Sequence, residues 1–364
     1  MNISILGFGT VGRGVYEMIC KAEGMKARKV LVLPVECTES FMVTSIDEIV
    51  NDKETDVVVE CMGGIHPAFE FASACLKAGK SFVTSNKALI SEFGIELEAL
   101  AREKNVSFLF SAACGGAIPV LHNISVASQT DTIIRCGGIL NGTTNFILTN
   151  MQDNGKDYKE ALSEAQKLGY AEADPTADVS GMDTLRKVML LSSVSFSSLP
   201  TENLCCEGIE NFSKEVADYV KERDMSVRLM GFCGKTEAGI YAYVEPVVVP
   251  SSAVEASISS NINFAWYEGE NSGFIGLMGQ GAGRYPTASA VLRDLSAVIE
   301  GKKSMIGPCC KKIKADNSGI LNSYLLYIDG VFSSIESISV TEMHEKAKEL
   351  REKGSKVFFA QYKI

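Results

Sequence analysis

Six residues near the amino terminus, Gly7-Phe8-Gly9-Thr10-Val11-Gly12, restrict what this chain can fold into more than any other stretch. They follow the apolar run ISIL, which reads as a buried strand, and they open a helical pattern from Val11 to Cys20. Glycines at this spacing let the chain turn sharply, admit a pyrophosphate against bare backbone, and let helix and strand approach. The helix N-terminus then faces the phosphates. Alone the pattern is weak, because any tight turn uses glycine. In the first strand–helix unit of an alternating domain it predicts a dinucleotide site at Gly7, Phe8, Gly9, Thr10, Val11 and Gly12.

The first third of the chain does alternate. Strands are expected at KVLVL (29–33), DVVVEC (56–61), SFVTS (81–85) and VSFLFS (106–111). Helices are expected at SIDEIVND, at HPAFEFASACLKAGK with Gly79 as its stop, and from Lys87 to Lys104 with a break near Gly94. Val/Ile runs alternating with helices predict a parallel sheet covered on both faces. After about residue 125 the pattern changes. TIIRCGGIL reads as a strand, Asn145–Met151, Tyr158–Leu168 and Met182–Val194 as helices, and three later runs as antiparallel strands: IYAYVEPVVVP, EASISSNINFAWYEG and GFIGLMG. PTASAVLRDLSAVIEG is a helix with Pro286 at its start. SYLLYI, a helix from Thr341 to Glu352, and KVFFAQYKI complete the chain.

The expected fold class is therefore α/β: a Rossmann-type nucleotide-binding domain (1–125) with a second α+β substrate and dimerisation domain (126–320). A C-terminal segment (321–364) is expected to return onto both, too short for a regulatory domain of ordinary size. The 364 residues suit two domains, and a net charge of −10 argues against nucleic acid or an anionic membrane surface. No run is apolar for long enough to span a bilayer, and the first residues have no basic, signal-like start. The 11 cysteines include no C-x-x-C, and the 3 histidines lie far apart. That pattern predicts buried, reduced thiols in a cytoplasmic protein and neither a zinc site nor a disulfide framework.

The second informative stretch is GYAEADPTADVSGMDTLRK, residues 169–187, with Glu172, Asp174, Asp178 and Asp183 in a loop that ends on a helix. Simple readings exist. Ser180 to Asp183 fits a capping box, Asp183 and Lys187 fit a surface i,i+4 pair, and Asp174-Pro175 is a common turn opener. Against these, Lys187 lies on DTLRKVMLLSSV, whose second half is almost wholly apolar. A partly buried lysine one turn from a carboxylate is held ready to donate a proton, and Glu172 would then be free to bind an ammonium. Lys87, straight after the fourth strand, stands at the carboxyl edge of the sheet, where open α/β folds bind ligands. It also reads as a helix-start lysine in solvent. The small polar runs around Gly142 and Thr143, and from Gly279 to Thr287, look built for close backbone approach.

GFGTVG, DVVVECMGG, SFVTSNKALI, GGAIPVL, GILNGTTNFILTNM, AQKLGYAEADPTADVSGMDTLRK and GQGAGRYPTASAV together resemble homoserine dehydrogenase, in order and over nearly the whole chain. The resemblance implies NAD(P)-dependent interconversion of L-homoserine and L-aspartate 4-semialdehyde, on the route to threonine and methionine, by a cytoplasmic homodimer. It implies Lys187 as proton donor with Asp183 in support, and Lys87 between cofactor and substrate. Glu172 would grip the substrate ammonium, with Tyr170, Asp178, Gly142 and Thr143 lining the pocket. Met62, Gly63, Ser85 and Gly283 would join the glycine motif around NAD or NADP. The chemistry needs no catalytic metal; a monovalent cation would rest on carbonyls of Cys114, Gly116 and Ile118.

Two departures stand out. Members often carry an arginine where this chain has Leu33, which leaves the choice between NAD and NADP open. They also tend to carry a glutamate where this chain has Ser111. A dehydrogenase of another amino-acid semialdehyde, or a non-catalytic NAD(P)-binding sensor, are the alternatives.

Overall fold

The computed structural model describes residues 1–363; Ile364, the end of the expected last strand, lies outside the described residues. The chain forms two compact units: Met1–Gln129 with Gln280–Lys311, and Thr130–Gly279 with the chain from Lys312 onward.

The first unit is built on a six-stranded parallel sheet. Its order is Met42–Val43, Lys26–Leu31, Asn2–Leu6, Val57–Glu60, Ser81–Thr84, Phe108–Leu109. Every residue of Val57–Glu60 is buried, as a strand covered on both faces requires. From Asn2–Leu6 the chain crosses to one side, then returns to pair Val57–Glu60 on the other. The carboxyl end of the first strand is therefore the topological switch point, and Gly7 starts there.

Three expectations change in this unit. The second strand ends at Leu31, not Leu33, and Pro34, with no N–H for a ladder, begins a 3₁₀ turn to Glu36. The helix Lys87–Glu103 runs through Gly94 unbroken. One glycine costs a helix about 1 kcal/mol, less than burying Leu89, Ile90, Leu97 and Ala101 on the same helix returns. The helix Arg284–Ile299, placed by chain order in the second domain, belongs to the first unit. Ala288 meets bare Gly14 of the helix Thr10–Ile19, so the two helices approach closely, and an Arg284–Glu17 ion pair joins them.

The second unit carries a nine-stranded mixed sheet. Its main path is Gly273–Gln280, Ile262–Gly269, Ile133–Ile139, Met225–Lys235, Ile240–Pro250, Val357–Tyr362, Leu321–Ile328, Val331–Ser339. Met225–Lys235 and Val331–Ser339 were not legible as strands in the sequence, nor Lys214–Lys221 as a helix. EASISSNINFAWYEG divides into a short helix, Val254–Ser257, and the strand Ile262–Gly269. The C-terminal segment belongs to the second unit. Its strands extend the second unit's sheet, and the helix Val340–Glu352 packs Met343 and Ala347 against Tyr324, Val357 and Phe359. Among the described residues the 11 cysteines form no disulfide, but Cys20, Cys37 and Cys309 are exposed, so burial is not general.

Candidate functional site

The glycine motif has the shape that the sequence implied. Gly7 adopts φ +92°, and a side chain on Gly12 would strike the Gly7 carbonyl oxygen at 2.1 Å, so the turn requires glycine at both positions. At Gly9 the opposite holds: a Cβ would meet nothing within 4 Å. Gly9 is also the N-cap of Thr10–Ile19, with no side-chain cap and no acid in the first turn. Open space above bare backbone, at uncapped helix N–H donors, fits a pyrophosphate. Phe8 packs edge-on to Tyr16 and Phe41, with the Arg13 guanidinium 4.6 Å above its ring.

Beside this turn, Glu60 organises two more segments. It is fully buried; Oε1 accepts from the N–H of Met62 (2.7 Å) and Gly63 (3.2 Å), and Oε2 from the Thr84 hydroxyl (2.5 Å). Thr84 Oγ1 accepts in turn from the N–H of Asn86, which caps Lys87–Glu103 through Leu89 N–H and donates to the Gly64 carbonyl. Burial pushes the Glu60 carboxyl up, while these donors oppose the shift. Met62, Gly63 and Ser85 thus sit on one hydrogen-bonded framework with the start of the Lys87 helix. Lys87 is half-buried there, not a solvated helix-start lysine. Glu60 was not singled out in the sequence, although a lone acid closing an apolar strand is the signal that marks it.

Gly283, with φ +121°, is the N-cap of Arg284–Ile299. The same helix supplies Asp294, whose carboxylate accepts from both the N–H (2.7 Å) and the hydroxyl (2.5 Å) of Ser111. An acid therefore stands at Ser111 after all, brought from 183 residues along the chain. Arg293 donates to the Ala117 carbonyl, so two neighbouring side chains of one helix hold the loop containing Cys114, Gly116 and Ile118. Among the described residues no group of three His, Cys, Asp or Glu side chains is arranged to hold a metal ion.

In the second unit the acidic stretch folds onto the end of the strand Ile133–Ile139. Lys187 and Asp183 are buried on the helix Met182–Phe196. Lys187 Nζ donates to Asp183 Oδ2 (2.7 Å) and to the Leu140 carbonyl (2.5 Å). Its third N–H has no hydrogen-bond acceptor among the described residues. The surface-pair reading is thereby overturned, and the capping box with it. The N-cap is Gly181 at φ +83°, with no side-chain cap, and Asp183 turns inward instead. The left-handed glycine joins the short helix Thr176–Val179 directly to the next, so both acids approach one point. Asn141, which the sequence did not single out, donates from Nδ2 to Asp178 (2.7 Å) and to Asp183 (2.8 Å).

Other expected residues fall around this cluster. Gly142 begins the helix Gly142–Asp153 against the Asn261 carbonyl, and Thr143 donates to the Tyr170 carbonyl at 2.5 Å. The Tyr170 ring lies edge-on to Phe146, 5.0 Å between centroids. Asp174 is the turn opener that its Asp-Pro sequence suggested, accepting from the N–H and hydroxyl of Thr176. Glu172 is exposed, its carboxylate without a hydrogen bond or ion pair among the described residues. The structure does not bring it into the hydrogen-bonded cluster.

Comparisons with known proteins agree over both units. The family model for the homoserine dehydrogenase NAD-binding domain matches residues 7–111, and that for homoserine dehydrogenase matches 119–296. A homoserine dehydrogenase of Lactococcus lactis is 35% identical over 83% of this chain and 75% of its own length. One of Bacillus subtilis is 32% identical over 93% of this chain and 84% of its own. A crystal structure of a homoserine dehydrogenase from Thiobacillus denitrificans superposes with TM-score 0.89 at 27% identity, covering 100% of this chain and 98% of that one. A hyperthermophilic archaeal homoserine dehydrogenase mutant in complex with NADPH gives 0.72 at 27% identity, covering 82% and 97%.

Proposed function

The chain belongs to the homoserine dehydrogenase family, and from that membership we propose that Lys187, aimed by Asp183, moves the proton at the substrate's alcohol oxygen. The reaction is the NAD(P)-dependent interconversion of L-homoserine and L-aspartate 4-semialdehyde. The glycine turn Gly7–Gly12 would hold a nicotinamide dinucleotide, which would supply hydride transfer at the substrate carbon. In the reducing direction Lys187 gives a proton to the developing alkoxide, using the N–H that neither Asp183 nor Leu140 accepts. In the oxidising direction the neutral amine takes it back. The single observation behind this reading is that buried ammonium, held by two acceptors and with one donor left over.

The remaining roles follow the same logic. Asp178, Asp183 and Lys187 sum to one net negative charge, which favours a substrate bearing an ammonium group. Glu172, exposed on the preceding loop, grips that ammonium, while Tyr170, Gly142 and Thr143 shape the pocket. Lys87 assists catalysis. Were a monovalent cation to bind, the carbonyls of Cys114, Gly116 and Ile118 would hold it without the glutamate that relatives carry at Ser111. The second unit is the substrate and dimerisation domain. Its edge strand Gly273–Gln280 exposes Phe274 and Met278 on one face, which a second copy would cover. No helix among the described residues is long and apolar enough to cross a membrane, and the cytoplasm is the proposed location.

The test is nicotinamide absorbance with L-homoserine, run separately with NAD and NADP against a panel of other hydroxy amino acids. Activity confined to another member of the panel would overturn the substrate assignment. Lys187→Ala is expected to lower kcat by about 10²–10⁴; near-normal kcat would move the proton donor to Lys87. Light scattering should give a dimer mass, reduced to a monomer by Met278→Lys.

A further inference from the structure

We propose that Asn141 is the positioning residue of the proton-transfer centre, pinning Asp183 and Asp178 with the two hydrogens of one amide nitrogen. The inference rests on the assignment of Lys187 as proton donor and extends it to a residue outside the acidic stretch. Asn141 is buried two residues beyond the strand Ile133–Ile139, and its Nδ2 reaches Asp178 at 2.7 Å and Asp183 at 2.8 Å. An amide nitrogen has two hydrogens, so both are used. The other end is fixed as well: Oδ1 accepts from the Thr144 N–H at 2.8 Å, capping Gly142–Asp153.

Adjacent residues thus take opposite ends of the ion pair. The Leu140 carbonyl accepts from the Lys187 ammonium at 2.5 Å, while the Asn141 side chain donates to the Asp183 carboxylate. The same oxygen, Asp183 Oδ2, receives both Asn141 and Lys187. That oxygen cannot swing without breaking one bond, so the direction of the free ammonium N–H is set by the strand end and not by the helix alone. The amide also stands between two carboxylates that would otherwise face one another. Three segments, the strand end, Thr176–Val179 and Met182–Phe196, are locked at one point where the substrate's oxygen must be met.

The test uses substitutions that keep the helix cap. Aspartate and serine both cap as asparagine does, so neither should disturb Gly142–Asp153. Asn141→Ser replaces the two amide hydrogens with one shorter hydroxyl and adds no charge, and kcat should fall about 10²-fold, the effect of a small misplacement of a catalytic group. Asn141→Asp adds a third acid against Asp178, Asp183 and Lys187. It should lose at least as much, and its kcat–pH profile should move to higher pH. Circular dichroism and fluorescence titration with NADH should match the parent chain for both.

Parent-like kcat and pH profile in both variants would reduce Asn141 to a helix cap and overturn the proposal. Loss in the aspartate variant alone would assign the effect to charge and overturn positioning. Should the aspartate variant fail to fold, the serine variant decides. Lys187→Ala, measured in parallel, tests the underlying assignment: retained kcat there refutes it whatever Asn141 does.

Discussion

Lys187 Nζ and Asp183 Oδ2 lie 2.7 Å apart, one turn of the same helix separating two residues that are both nearly inaccessible to solvent. An i,i+4 pair on a helix surface contributes little, but breaking a buried pair by removing one partner is destabilising by about 3–5 kcal/mol. Lys187→Ala should therefore cost stability and also reduce kcat by about 10²–10⁴, the usual worth of a positioned acid. Lys187→Ala with Asp183→Asn removes the abandoned carboxylate, so denaturant unfolding should show stability recovering while kcat does not. Parallel recovery of both would make the pair purely structural.

Glu172 lies outside the buried cluster, and its substitution should behave differently. Glu172→Gln keeps the shape and removes the charge proposed to meet the substrate ammonium. An interaction present equally in ground and transition states appears in KM, so KM for homoserine should rise with kcat little changed. Initial-rate kinetics decide this, and a kcat defect with parent-like KM would contradict the ammonium-binding role.

The residues after the second strand bear on the cofactor choice. Leu33 is exposed there, and Arg28 and Lys29 are engaged elsewhere, Arg28 with Glu54 at 2.7 Å and Lys29 with the Glu48 carbonyl at 2.7 Å. Residues 30–52 contain no lysine or arginine, while Glu36 and Glu39 lie among them. NAD(H) is therefore expected to serve at least as well as NADP(H) in kcat/KM. A strong NADP preference would direct attention to Arg13, stacked over Phe8 beside the glycine turn.

Asp294 gives a pH prediction of definite sign. Burial pushes its carboxyl up to about 6, against the opposing pull of the two Ser111 donors. Between about pH 4, the ordinary aspartate value, and about 6, the folded chain binds more protons at this site than the unfolded chain. Stability from this group is therefore greatest below that window and falls as pH rises through it. An asparagine at this position would carry no such dependence. Thermal unfolding of Asp294→Asn should gain on the parent chain from pH 4 to 7, and a gap independent of pH would contradict the buried acid's role.

Much of the first unit was legible because its information is local. Gly7, Gly9 and Gly12 carry the turn in their own backbone, and runs such as VVVE declare a buried strand by composition. The errors came where local signals were weak or tertiary contacts outweighed them. Gly94 does not break its helix because burial of its neighbours exceeds its propensity cost, and Pro34 shifts the end of the second strand by its missing N–H. Val331–Ser339 carried no signal because its alternation with solvent is irregular, and pairing with Leu321–Ile328 makes it a strand.

The sequence by itself determined the cofactor turn, the parallel sheet behind it, and the placing of Lys187 one helical turn from Asp183, because each is written in spacings of a few residues. Tertiary structure alone decided what surrounds them. Asn141 reaches Asp183 across 42 positions and Asp294 reaches Ser111 across 183, distances at which no periodicity survives. Only the folded sheet, by bringing a strand end to a helix start and a helix to a loop, turns those separated polar groups into partners. Burying them unpaired would be costly, so that pairing accompanies the packing and cannot be read before it.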